Sequence, residues 1–236
     1  MTARTNDAQE ILKRGLIVSC QAEEGSPFNA PGFIAAFSKA AELGGAVGVR
    51  VRDPENVRAV AAATHLPIIG LTKGKFPSGA VLITPTLDDA VKLAASGASI
   101  VALDATSRRR PGGLTGTEFI RAVRSAVDCM ILADCSTADE GVAAADEGAD
   151  FIATTLSGYI DPSQSPPAEP DYALIRTLAS RTPAPVIAEG RIWSPDQAAQ
   201  AVACGAYAVC VGTAITRPVD IIRRFALVLR SPAPPL

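Results

Sequence analysis

The sequence holds one histidine, His65, and five cysteines with no C-x-x-C pair among them. A two-histidine metal site lacks the residues it needs and no metal is expected, while the position of His65 just before a strand argues against a Ser-His dyad or a Cys-His pair, so acid/base chemistry falls to Lys, Arg, Asp or Glu. Cys20, Cys129, Cys135, Cys204 and Cys210 lie mostly within apolar runs, which suits reduced, packed thiols. An excess of either charge is also lacking, since 22 Lys+Arg face 24 Asp+Glu, a net charge of −2. Without a basic block, no nucleic-acid partner is expected. No apolar run reaches the roughly 18 residues that a bilayer span requires. Residues 1–14, MTARTNDAQEILKR, carry no long apolar stretch of the signal-peptide kind. These absences lead to the expectation of a cytoplasmic protein with no membrane partner. What the chain does have is bulk: 236 residues, 48% of them hydrophobic, suffice for one large core without disulfides.

The chain also repeats itself. GGAVGVR, GASIVALDAT, GADFIATTLSG and GAYAVCVGTAIT each read as a helix-ending glycine followed by a buried strand. Their glycines, Gly45, Gly97, Gly148 and Gly205, are 52, 51 and 57 residues apart, about two βα units per repeat. Filling in the intervening units predicts strands near 16–21, 46–50, 68–73, 99–105, 130–135, 151–156, 186–190 and 207–212. Helices are expected at 31–43, 55–64, 87–96, 117–126, 138–147, 171–181, 195–204 and 218–229. The strand runs are continuously apolar, as in a parallel sheet covered on both faces. The reading is an α/β chain forming one (β/α)₈ TIM barrel over 1–236, with a short N-terminal helix or arm over 1–14 and a frayed tail at 231–236. A ninth apolar run, AVLITPT at 80–86, follows Gly74, Pro77 and Gly79 too closely for an intervening helix, and is assigned to the third βα loop.

Barrels build their chemistry where strands pass into βα loops. Those positions here are Gln21, Arg50, Lys73, Asp104, Asp134, Thr155, Glu189 and Gly212, seven of them with polar side chains after apolar runs. Lys73 ends PIIGLTK; desolvation and a nearby Arg50 or Arg217 would lower its pKa, making it a base or a Schiff-base nucleophile, unless it simply reaches solvent. Glu189 ends PVIAEG and is a candidate acid/base group, or else an ion-pair partner of Arg191 or Lys73. Gly190, Arg191, Gly212 and Thr213 lie in the seventh and eighth βα loops, the usual phosphate cradle of barrels, although glycines there also serve tight turns. Arg50 and Arg217 can clamp a phosphate or carboxylate or pair with neighbouring acids. Asp104 and Asp134 can orient sugar hydroxyls, cap the following helix, or pair with Arg108 or Arg110. His65 falls on the opposite rim, and Trp193 is placed to wall the site or to pack on the loop.

These segments, GLIVSCQA, GGAVGVR, PIIGLTK with ITPT, ALDAT with RRRP, ADCST, TTLSGY, VIAEGRI and GAYAVCVGTAITRP, resemble the N-acetylmannosamine-6-phosphate 2-epimerases from Gly15 to about Phe225. The resemblance implies a cofactor-free barrel that interconverts N-acetylmannosamine 6-phosphate and N-acetylglucosamine 6-phosphate in sialic-acid catabolism. It places the catalytic lysine at Lys73 and the catalytic glutamate at Glu189, with Gln21, Arg50, Asp134 and Arg217 contacting a phosphorylated amino sugar. Two other classes stay open on the residues alone: a Schiff-base phosphosugar lyase or synthase using Lys73, and a non-catalytic phosphosugar-binding protein. Oligomeric state is open too, with a homodimer the assembly that such barrels commonly form.

Overall fold

The computed structural model describes residues 10–22, 25–75, 81–160 and 167–230. The first half of the chain runs β1 (Leu16–Cys20), α1 (Pro31–Leu43), β2 (Gly48–Arg52), α2 (Pro54–Ala61), β3 (Ile68–Leu71), β4 (Lys73–Lys75), β5 (Val81–Ile83) and α3 (Leu87–Ala95). It continues as β6 (Ile100–Asp104), α4 (Gly116–Ala126), β7 (Met130–Asp134), α5 (Ala138–Asp146), β8 (Phe151–Ala153) and α6 (Tyr172–Arg181). The remainder is β9 (Val186–Glu189), α7 (Pro195–Ala203), β10 (Ala208–Val211), α8 (Thr213–Thr216) and α9 (Pro218–Arg230). Eight strands, in the order β1-β2-β3-β6-β7-β8-β9-β10, close into a barrel, and every neighbouring pair in it is parallel. All eight expected strands and the eight expected helices are present, with boundaries shifted by a few residues at most.

Strand alternation sorts the side chains into two shells. Val18, Val49, Val51, Ile68, Val101, Leu103, Ile131, Ala133 and Ile152 pack outward against the helices. Ile17, Ile69, Leu71, Ile100, Ala102, Met130, Leu132, Phe151, Ala153, Ile187, Ala208 and Cys210 fill the barrel itself. Each fully buried aliphatic side chain contributes about 1.5–3 kcal/mol, so the interior is a packed column rather than a pore. Its lower end is stoppered by Leu12, fully buried beside Ile17 and against Gly48, where an added Cβ would lie 2.8 Å from Leu12 Cδ2. Leu12 belongs to a helical stretch at residues 10–12, within the short N-terminal helix expected there. The rest of the expected arm, residues 1–9, and the expected tail at 231–236 lie outside the described residues.

Local chemistry starts and stops the helices. Thr86–Asp89, Thr115–Glu118, Thr137–Glu140 and Ser194–Gln197 form reciprocal capping boxes at the starts of α3, α4, α5 and α7. The four repeat glycines, Gly45, Gly97, Gly148 and Gly205, have φ of 85°, 105°, 93° and 100° and reverse the chain from helix into strand. The sequence rhythm is thus a rhythm of left-handed turns.

Two features depart from the expected plan. The run at 80–86 does lie in the third βα loop, but Val81–Ile83 pairs antiparallel with Lys73–Lys75 as a small ribbon. Lys73 therefore opens a ribbon strand two residues beyond the end of β3. Thr84 fastens this ribbon, exchanging hydrogen bonds with Thr72 and donating its hydroxyl to Ala102 O at 2.5 Å. The second departure is α9, in which no residue is buried and Ile222, Phe225, Leu227, Val228 and Leu229 are all exposed. No helix among the described residues is long and apolar enough to cross a membrane.

Candidate active site

Following the inward residues upward, strand by strand, the column changes from apolar to polar in its top layer. Ile17 leads to Ser19 and Gln21, Ile69 and Leu71 to Lys73, Leu132 to Asp134, Ala153 to Thr155, and Ile187 to Glu189. Parallel register aligns the polar ends, pairing Asp104 with Asp134 and Cys210 with Glu189. Above this layer is a cavity of about 320 Å³ lined by Lys73, Glu189, Gln21 and Thr155, with the β9–α7 and β10–α8 loops forming one wall. A second cavity of about 330 Å³ lies at the other end of the barrel, bordered by Lys13, Arg14, the Pro183–Pro185 turn and Tyr207. The upper one is the candidate active site, because only there do an amine and a carboxylate share a wall with glycine-rich loops.

Arg50 is the hub beneath the cavity. Its guanidinium is 1% exposed and forms a two-point pair with Asp134, Nη1 to Oδ1 at 2.9 Å and Nη2 to Oδ2 at 2.7 Å. Nη1 also reaches Thr155 Oγ1 at 3.3 Å and Glu189 Oε2 at 2.5 Å. Thr155 donates its own hydroxyl to Asp134 Oδ1. Burial opposes the charge on Arg50, but Asp134 and Glu189 outweigh it and hold the guanidinium protonated. Burial pushes the Asp134 carboxyl up, with Arg50 pulling the other way. Thr154 secures the backbone of Glu189, accepting from its N–H at 3.1 Å and donating to its carbonyl at 3.0 Å.

Lys73 stands across the mouth from this network. Crowding of its amine by the barrel rim, then the charges of Arg217, Arg50 and Arg52, lower its pKa to about 8, against the pull of Glu189. The residue as a whole is exposed, so water at the mouth tempers both the desolvation and the pull of the three guanidinium groups. Gln21 donates to Ser19 Oγ at 2.8 Å, which leaves its Oε1 without a partner among the described residues, a buried acceptor in the cavity wall.

The expected site residues divide accordingly. Lys73, Glu189, Gln21, Arg217, Gly190, Arg191, Gly212 and Thr213 come together around the cavity, and Trp193 forms part of its wall. Arg50 and Asp134 are not among its lining residues; they are 1% and 0% exposed and connect to it through Glu189 and Thr155. Asp104 is likewise not among the lining residues. Fully buried, it accepts from the Thr106 amide and hydroxyl and pairs with Arg108 at 2.7 Å, so its carboxylate organises the β6–α4 loop. Arg191 borders the cavity, yet its guanidinium donates to the carbonyls of Ser157 and Glu169. His65 is exposed on the lower rim, where its backbone N–H donates to Glu42.

Several lining residues were not singled out from sequence. Ser19 and Cys210 lie two residues before Gln21 and Gly212 on the same inward face, so extending the two-residue period downward would have found them. Tyr159 lies in the β8–α6 connection, where no periodic signal exists.

Comparison with known proteins follows the same geometry. The family described as "Putative N-acetylmannosamine-6-phosphate epimerase" matches residues 34–231. A relative of that name with the suffix 2-epimerase, from Caldanaerobacter subterraneus subsp. tengcongensis, is 47% identical over 95% of this chain and 94% of its own. Another, from Cutibacterium acnes, is 44% identical over 98% of this chain and 100% of its own. The solved structure of the N-acetylmannosamine-6-phosphate 2-epimerase from Clostridium perfringens superposes with a TM-score of 0.86 at 34% identity, covering 93% of this chain and 95% of that one. With agreement that runs through nearly every strand and loop of the barrel, the chain belongs to the N-acetylmannosamine-6-phosphate epimerase family.

Proposed function

We propose that this protein inverts C2 of a phosphorylated amino sugar, interconverting N-acetylmannosamine 6-phosphate and N-acetylglucosamine 6-phosphate. The observation that carries the reading is the shared cavity of Lys73, with its lowered pKa, and Glu189, with its carboxylate held by Arg50. The C2 hydrogen is acidic only next to an aldehyde, so the sugar reacts in its open-chain form. Neutral Lys73 takes the C2 proton and becomes an ammonium, while the C2–H electron pair moves into an enolate. A proton then returns to the opposite face of C2 from water held by the Glu189 carboxylate, inverting the carbon, and the Lys73 ammonium gives its proton to the hydroxide left behind, which restores the neutral amine. Gln21 Oε1 accepts from the sugar, and the amides of Gly190, Arg191, Gly212 and Thr213 with Arg217 hold the phosphate. Proton transfer by positioned groups contributes about 10²–10⁴-fold, so cationic stabilisation of the enolate oxygen supplies a further part of the acceleration.

Proton NMR of N-acetylmannosamine 6-phosphate in D₂O tests the proposal. Interconverting anomeric signals with deuterium entering C2 are expected. Binding without exchange would mark a sensor, and a borohydride-trapped adduct on Lys73 would mark a lyase.

The pH dependence follows from Lys73. Its reactive form is the neutral amine, whose fraction grows as pH rises through about 8. Below that value kcat/KM should therefore climb about tenfold per pH unit and level off above it. Arg52→Gln removes one of the depressing charges and should move this limb to higher pH. A limb centred near about 6 in both proteins would report the substrate phosphate instead and remove Lys73 as the base.

The same reading treats residues 1–236 as one barrel domain. It also places the enzyme in the cytoplasm, because a phosphosugar does not cross a bilayer unaided. The exposed apolar face of α9 supports a homodimer. Sedimentation should give twice the 24.3 kDa chain mass, and Ile222→Glu with Phe225→Glu should return it to one. A wild-type chain sedimenting as a monomer would refute the dimer.

A further inference from the structure

We propose that Arg191 is a positioning residue whose side chain sets substrate affinity by fixing Tyr159 in the cavity wall, rather than by binding phosphate. This inference rests on the epimerase reading above. Arg191 Nε donates to Glu169 O at 2.7 Å and Nη1 to Ser157 O at 2.5 Å, so one guanidinium grips the β8–α6 connection at two separated points. Its Cζ lies over the Tyr159 ring, 5.5 Å from the centroid, and Tyr159 borders the cavity together with Ile192 and Trp193. The grip is anchored at its far end: Ser157 Oγ donates to Asp171 Oδ2 at 2.6 Å, and Asp171 caps α6 through the Leu174 amide at 2.9 Å.

The backbone pays for this arrangement twice. Arg191 has φ of 60°, a left-handed conformation uncommon for a residue with a side chain, and it persists where surrounding contacts over-determine it. Gly158 has φ of 77°, and a Cβ there would lie 2.8 Å from Pro167 Cδ and 3.4 Å from Arg191 Nη1. A glycine next to Tyr159 thus keeps open the space the guanidinium needs. A planar fork spans two carbonyls while lying over a ring, which a lysine ammonium reproduces only in part.

The test is steady-state kinetics on N-acetylmannosamine 6-phosphate for Arg191→Met, Arg191→Lys, Tyr159→Ala and the double variant R191M/Y159A, with inorganic phosphate as competitive inhibitor. R191M and Y159A should each raise KM about tenfold with kcat changed by no more than about twofold. R191K should recover part of the loss, and the double variant should be no worse than either single one. The inhibition constant of inorganic phosphate should stay constant throughout. If it rises in step with KM in R191M, the guanidinium binds phosphate directly and the proposal fails; additive KM effects in the double variant overturn it as well. Should R191M not fold at the assay temperature, Y159A alone decides, since an unchanged KM removes Tyr159 from the site. Failure of the epimerase reading looks different, because the wild-type protein would then not exchange C2–H at all.

Discussion

Lys73→Met and Lys73→Arg should both lower kcat by about 10³-fold or more, and both should abolish deuterium entry at C2. The pair separates two roles that a single variant would leave merged. Methionine keeps the length and apolar stem of the side chain but removes the amine. Arginine keeps a cation at the mouth, yet its guanidinium does not deprotonate at working pH and so provides no base. If Lys73 acted only as a fixed positive charge toward the phosphate or the enolate oxygen, the arginine variant would retain much of the activity. Turnover of K73R at a tenth of wild type or better would therefore remove Lys73 as the proton acceptor. Neither change should disturb folding, because the residue is exposed and sits in the ribbon rather than in a barrel strand. Matching melting temperatures would show that the loss is chemical.

Arg50→Met is expected to have the largest effect on stability. Its guanidinium neutralises Asp134, at 0% side-chain exposure, and Glu189, at 15%. Removing it leaves the Asp134 carboxylate buried without its cation and Glu189 without its ion-pair partner, and breaking a buried pair in this way costs about 3–5 kcal/mol. For a barrel of this size that is a drop in Tm on the order of 10 °C. The loss should depend on pH in a definite direction. Burial already raises the Asp134 carboxyl, and without Arg50 the folded state binds protons that the unfolded chain releases. Stability then falls as pH rises, so the variant should be least impaired at acidic pH and worst above neutrality. Activity should fall as well, since Glu189 loses the contact that orients it. An R50M protein as stable as wild type across this range would show that the Asp134–Arg50–Glu189 network has little energetic weight.

The barrel was legible because its two periodicities are written in different residues. Gly45, Gly97, Gly148 and Gly205 mark the helix-to-strand turns, and the continuous apolar runs between them admit only strands covered on both sides. The mouth was legible at Lys73, Glu189, Gln21, Gly212 and Arg217, because a polar residue that ends an apolar run must emerge at the rim. What strand position does not encode is depth. Arg50 and Asp134 occupy the same kind of position as Glu189 but pair with each other below the floor, and only their three-way contact with Glu189 reveals it. Asp104 shows the same limit from the other side, as its local partners Thr106 and Arg108 take up the carboxylate first. The ribbon was legible only as a loop, because short strands joined within a loop carry too few residues to show a period. Arg191 and Tyr159 meet across two loops whose contact depends on left-handed backbone at Gly158, Gly190 and Arg191.

The inward–outward alternation of the strands also limits how such an enzyme can change. A one-residue insertion inside β9 would turn Glu189 toward the helices and swing Ala188, now packed outside, into the mouth. The same slip in β2 would bury a guanidinium among the aliphatic neighbours of Val49 and Val51. Length variation among descendants of this chain should therefore collect in the βα and αβ connections, and any new specificity must come by exchanging side chains at fixed positions along the staves.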